Sequence, residues 1–183
     1  EDEKRLLEIL QMLKSRLLMR FQSAGHTTAV LRSLAYTSPS ARLKDLTSGI
    51  EFYRVVARIT EHFEEEKEDL IRKLKSLAVR LFRAEGMMIS YTASRDGLDG
   101  LEDFVDSMKR RLFTDSVEEA VCILHCEKKN EGFKTASKVQ YVARSGNFID
   151  GGAQYSGALQ ILKVILSYEY LWQNIRVKGG AYG

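Results

Sequence analysis

The sequence predicts an α+β fold rich in helix, with helices packed on an antiparallel sheet. Three observations carry this. Up to about residue 112 apolar residues recur mainly at steps of three and four, with a single proline, Pro39, and few glycines. From about residue 114 the texture shifts to short runs of strand formers separated by turns. A strongly apolar stretch with helical spacing follows, ALQILKVILSYEYLWQNIR.

Composition sets the frame. A chain of 183 residues suits one ordinary domain or two small ones, and at this size roughly 70% of the unfolded surface is covered on folding. Apolar residues make up 44% and charged residues 29%, a globular rather than a disordered balance. The net charge of +3 is small and evenly mixed, which excludes nucleic acid as an expected partner. No apolar run approaches the roughly 18 residues of a membrane span, so no membrane partner is expected either. The opening EDEKRLLEIL has no signal-peptide pattern. It also lacks an initiator Met, so the sequence reads as a piece of a longer chain. Cys122 and Cys126 would lie about 13 Å apart along a strand, too far to bridge. They read as reduced thiols of an intracellular protein.

The elements follow in order. Leu6, Leu10, Leu13, Leu17 and Phe21 form one apolar stripe over residues 3–23, with Gly25 as a stop. His26 or Thr27 then caps a short helix through Leu34. Ser38-Pro39 restarts the chain, with Pro at the first helical position. Ser48 and Glu51 have the spacing of a capping box. It would open a helix through His62 with Phe52, Val55, Val56 and Ile59 inward. Next, acidic EHFEEEKEDL precedes basic IRKLKSLAVRLFR, the charge order that suits a helix dipole over about 65–84. Leu70, Leu74, Leu77 and Leu81 are its expected buried face. The acidic cluster reads as a solvated first turn, with a cation site as the lesser alternative.

MMISYT, residues 87–92, is a strand candidate; Ser94–Gly100 is a polar turn; residues 99–112 return to helical spacing. VCILHC at 121–126 reads as a buried strand. KVQYVAR at 138–144 alternates like a half-buried one. The closing helix is apolar around most of its circumference, so burial on more than one side is expected. Seven of the thirteen glycines follow residue 145. A domain boundary is placed near residue 115, giving parts 1–114 and 115–183, neither of which reads as a complete domain.

The chemistry is sparse. Neither HExxH nor HxxEH occurs. Cys122, His125 and Cys126 suggest zinc, but along a strand His125 faces away from both cysteines, and a fourth ligand is missing. No GxSxG elbow is present, and KGGAYG is no phosphate loop because its glycines follow a helix. Arg176, Lys178 and Tyr182 remain. They read either as a basic last helical turn with a glycine stop and a packed Tyr, or as donors around a close backbone approach. The second arrangement suits a peptide carbonyl or a developing oxyanion.

At this point a resemblance enters. Tyr170-Leu-Trp-Gln-Asn-Ile-Arg176-Val-Lys-Gly-Gly-Ala-Tyr182-Gly closely resembles a segment in the C-terminal half of the pitrilysin/insulinase zinc metallopeptidases, in the presequence-protease and falcilysin branch. Ser23-Ala-Gly25-His26-Thr-Thr-Ala29, Thr47-Ser-Gly49-Ile50-Glu-Phe-Tyr53, Val139-Gln-Tyr141-Val142-Ala and Tyr155-Ser-Gly157-Ala158-Leu resemble that branch in the same order. The resemblance implies a protein of two homologous halves, each with two α+β domains, closing like a clamshell around a chamber. Residues 1 to about 113 would be the later part of a third domain and 118–183 the opening of a fourth. Zinc, on an HxxEH helix plus a distal Glu, and the catalytic Glu would lie in the N-terminal half; this chain would bind none. Arg176 and Tyr182 match the pair that holds substrate backbone near the scissile bond.

The expected function is therefore that of a piece of a zinc oligopeptidase for unfolded peptides. Its partners would be the peptide and the N-terminal half of the same polypeptide, and the isolated piece would self-associate. Its location would be a bacterial cytoplasm or a mitochondrial matrix. Two alternatives stand beside this: a non-catalytic binding or scaffold relative of the same fold, and an unrelated helical interaction protein.

Overall fold

The computed structural model describes residues 2–94, 100–114, 116–117, 121–136 and 138–181. Seven α-helices are found among them: α1 (Glu3–Ser23), α2 (Gly25–Leu34), α3 (Pro39–Ser48), α4 (Ile50–Glu61), α5 (Phe63–Leu81), α6 (Leu101–Lys109) and α7 (Ala158–Ile165). A short 3₁₀ turn spans Phe148–Gly151, and α7 runs on as a π-helix, Leu166–Val177. The chain forms two compact units, Glu61–Cys122 and the remainder, in which Asp2–Thr60 joins the chain from Ile123 onward.

In the larger unit the local sequence explains the helices well. The Asp2 carboxylate accepts from the Arg5 N–H at 3.0 Å and caps α1. The expected stripe is the inward face: Leu10 and Leu17 are buried, and Leu6, Leu13 and Phe21 are half-buried. α1 stops one residue before Gly25, which instead begins α2, and no side chain caps that start. The cap expected from His26 or Thr27 is not made. Ser38 does cap α3, accepting from the Ala41 N–H at 3.5 Å, with Pro39 at the first position.

The junction of α3 and α4 departs from the predicted capping box. Ser48 is still helical and donates back to the Lys44 carbonyl at 2.9 Å. The cap comes from Asp45, whose Oδ1 accepts from the Ile50 N–H at 3.0 Å. Asp45 outcompetes Ser48 because the chain turns sharply at Gly49. A Cβ on Gly49 would lie 2.8 Å from the Asp45 Cα, so only glycine permits this approach. Along α4, Ile50, Val56 and Ile59 are buried, Phe52 is half-buried, and Val55 falls off the inward face. Phe21 of α1 meets Tyr53 of α4 edge to face, with ring centroids 5.6 Å apart. Each fully buried side chain of this layer contributes roughly 1.5–3 kcal/mol.

In the smaller unit α5 has the predicted polarity, Glu64–Glu66 in its first turn and Arg80 in its last. Its predicted buried face is not covered: Leu74, Leu77 and Leu81 are 44%, 48% and 66% exposed. Phe63 is buried. The polar turn at Ser94–Gly100 falls largely outside the described residues, which resume at Gly100, the residue before α6.

The expectation of helices on an antiparallel sheet is overturned. Among the described residues there is no strand, and residues 87–92, 121–126 and 138–144 form no ladder. One isolated parallel bridge, Arg83 with Phe113, is present: the Phe113 N–H donates to the Phe82 carbonyl at 2.9 Å. The period-two pattern in these runs is real, but a strand is defined by backbone bonds to a neighbour. Here helix packs on helix instead, α1 on α2 and α2 on α3.

Candidate functional site

Arg176 lies near the end of the long helix. Residues 158–178 contain neither proline nor glycine, so nothing breaks it until Gly179-Gly180. The exit is a nested pair of bonds, Gly180 N–H to the Arg176 carbonyl and Ala181 N–H to the Ile175 carbonyl, both 3.0 Å. This resembles a Schellman turn widened by one residue, as a π-helical last turn requires. Gly180 adopts φ +65°, and a Cβ on Gly179 would lie 2.6 Å from the Ile175 carbonyl oxygen. Both glycines are therefore needed for the turn that follows Arg176.

The Arg176 guanidinium lies over the Trp172 ring, 4.6 Å from the centroid. Arg176 itself is half-buried. Tyr182, its expected companion, lies outside the described residues. The burial expected for this helix is not found: Ile161, Val164, Ile165, Tyr168 and Val177 are 52–69% exposed. An apolar circumference announces that a helix needs cover; it does not bring the covering element into the same 183 residues.

A second constellation is buried, and sequence reasoning missed it. Arg32 of α2 is 6% exposed and Asp45 of α3 is 0% exposed. Arg32 Nη1 donates to Asp45 Oδ2 at 2.6 Å and lies 2.8 Å from Glu51 Oε1. Its Nε and Nη2 grip both oxygens of Glu131, at 2.7 and 3.1 Å. Tyr36 completes the ring: it accepts from Arg32 Nε at 2.9 Å and donates to Glu131 Oε2. The Phe133 ring lies under Arg32 and Arg54, and the Ser145 hydroxyl donates to the Ser33 carbonyl at 2.6 Å.

The electrostatics agree with the geometry. Burial alone would lower the Arg32 pKa, but hydrogen bonds to Glu131 and Asp45 outweigh it and hold the group above its ordinary value. The hydrogen bonds from Arg32, joined by Tyr36, pull Glu131 down to about 2. Burial, followed by the bond to Glu131, pushes Tyr36 up to about 12. With its donors committed to protein acceptors, Arg32 is a structural tie. The sequence held one signal for it: a charge on the same helical face as Thr28 and Ala35, with Tyr36 four residues on.

The candidate metal residues do not assemble. Cys122 and Cys126 are free thiols, and His125 is exposed. Among the described residues no three His, Cys, Asp or Glu side chains gather closely enough to hold an ion. The residues present do not fit a zinc site.

Comparison with known proteins places this geometry in a family. Residues 1–59 match a family model described as peptidase-associated, and residues 130–183 match the PreP C-terminal domain. Protein HypA of Clostridium perfringens is 32% identical over 183 residues, all of this chain and 19% of that protein. Presequence protease 1, chloroplastic/mitochondrial, of Arabidopsis thaliana is 22% identical across the whole chain and 17% of its own length. The mitochondrial presequence protease of Eremothecium gossypii is 26% identical over 87% of this chain and 17% of its own length.

The chain belongs to the presequence-protease-like peptidase family.

It corresponds to part of the C-terminal region of these proteins and spans about a fifth of the length of the curated relatives it matches. No solved structure matches it. Membership in this peptidase family gives the Arg32 cluster a meaning. Arg32, Tyr36, Asp45 and Glu51 lie in the first matched segment and Glu131 in the second. The buried tie thus joins the two family segments across the intervening chain.

Proposed function

We propose that this segment clamps substrate backbone in a peptidase that degrades unfolded peptides, with Arg176 as the clamp. The observation that supports the reading most is the placement of Arg176: at a helix end, over an indole, before a two-glycine turn, in the segment that matches the PreP C-terminal domain. A guanidinium there offers a planar fork of donors to peptide carbonyls. Tyr182, six residues on, would donate its phenolic O–H toward the scissile carbonyl or its oxyanion. The zinc and its catalytic Glu belong, in this reading, to the N-terminal half of the same polypeptide, with the two halves enclosing a chamber.

The partners proposed are a peptide and that N-terminal half, with no nucleic acid or membrane partner. The presequence proteases are mitochondrial or chloroplastic by name. Among the described residues no helix is long and apolar enough to cross a membrane. The proposed location is intracellular, in a bacterial cytoplasm or a mitochondrial matrix.

Hydrolysis of an unstructured peptide by the polypeptide carrying this segment tests the reading. Arg176→Ala is expected to raise KM, because it removes ground-state binding, and Tyr182→Phe to lower kcat. Unchanged kcat and KM in both variants would sink it.

A further inference from the structure

We infer that Trp172 is a positioning residue for Arg176: its indole is the platform that fixes the guanidinium for substrate. The inference rests on the proposed clamp role of Arg176 and adds the group that sets its orientation.

Three observations meet here. The first is the contact, with the guanidinium carbon 4.6 Å from the indole centroid. The second is the backbone. Residues Leu166–Val177 are π-helical, and a ring closed at i+5 holds more than the 3.6 residues of an α turn. Residues four apart, such as Trp172 and Arg176, therefore lie more nearly one above the other. π-Helical turns are found often at functional sites.

The third is chemical. A cation held over a ring uses the face of the guanidinium, whereas its N–H donors lie in the guanidinium plane. An indole platform restrains the side chain without consuming the donors that a substrate carbonyl needs. A carboxylate would restrain it by taking those donors, which is the condition of Arg32. Indole is also the strongest of the aromatic rings in this role.

Peptide hydrolysis by the polypeptide carrying this segment tests it with Trp172→Leu, Trp172→Phe, Arg176→Ala and the double variant Trp172→Leu/Arg176→Ala. Trp172→Leu is expected to raise KM by about two- to tenfold, the range of an exposed to partly desolvated cation–π contact. Trp172→Phe should recover most of that rise. In the Arg176→Ala background Trp172→Leu should change KM no further, because a platform has nothing left to position. An equal loss in both backgrounds would make Trp172 a packing residue only and overturn the inference. So would an unchanged KM in Trp172→Leu alongside a raised KM in Arg176→Ala. If Trp172→Leu does not fold, the decision passes to Trp172→Phe, whose smaller rise must vanish in the Arg176→Ala background. Arg176→Ala with wild-type kinetics is the distinct outcome that removes the clamp reading itself.

Discussion

Two arginines in this molecule sit on aromatic rings and do opposite things. Around Arg32, α2, α3, α4 and the Glu131–Phe133 segment close over a charge held by three carboxylates and a phenol. Around Arg176, the ring is an indole on the same helix, and the neighbouring apolar side chains are open to solvent. The first region has its polar groups matched from within the chain. The second carries a wide apolar surface and a cation at a helix end, the features of a surface built to meet something else. Burial with saturated donors marks a structural arginine, and partial exposure on a neutral platform marks one suited to a ligand.

This contrast can be broken first at Arg32. Arg32→Ala leaves the Asp45 carboxylate buried without its principal partner, and should cost about 3–5 kcal/mol of stability. A denaturant midpoint measurement checks it. A loss below about 1 kcal/mol would place the cluster among weak surface pairs.

A smaller effect is expected from pH. Glu131 has a folded pKa near 2 against an ordinary 4.5. Its contribution is present above about pH 4.5 and drains away as pH falls toward 2. Tyr36 is raised from 10 to about 12, so its contribution holds below pH 10 and is lost as pH climbs through 12. Thermal melts across pH should show both shoulders, and Glu131→Gln should flatten the acid one. An acid limb identical in wild type and Glu131→Gln would remove Glu131 from the network.

The smallest effect belongs to the open faces. Leu77 on α5 is 48% exposed, so Leu77→Glu should change the stability of the 183-residue chain by no more than about 0.5 kcal/mol. A loss of 2 kcal/mol or more would show that the α5 stripe is covered after all.

The legible features are those set by near neighbours. The α1 stripe, the Ser38-Pro39 start and the charge order of α5 depend on residues within a turn or two. The capping box at Ser48 fails because a buried Asp three residues earlier reaches the same N–H groups better. The strands fail for a larger reason: alternation predicts a face, while pairing needs a partner that local sequence does not name. The Arg32 tie is invisible for the same reason, since Glu131 lies 99 residues away. Arg176 stands out by family resemblance, and its platform at Trp172 only by coordinates.

The most direct test of the division between the two arginines is one variant measured two ways. Arg176→Ala, in the polypeptide that carries this segment, is assayed for kcat/KM on an unstructured peptide and for Tm. The expected result is a fall in kcat/KM of about tenfold or more, the scale of a lost charge-assisted hydrogen bond, at a Tm within about 2 °C of wild type. Wild-type kcat/KM, or a fall accompanied by a matching collapse of Tm, would contradict it.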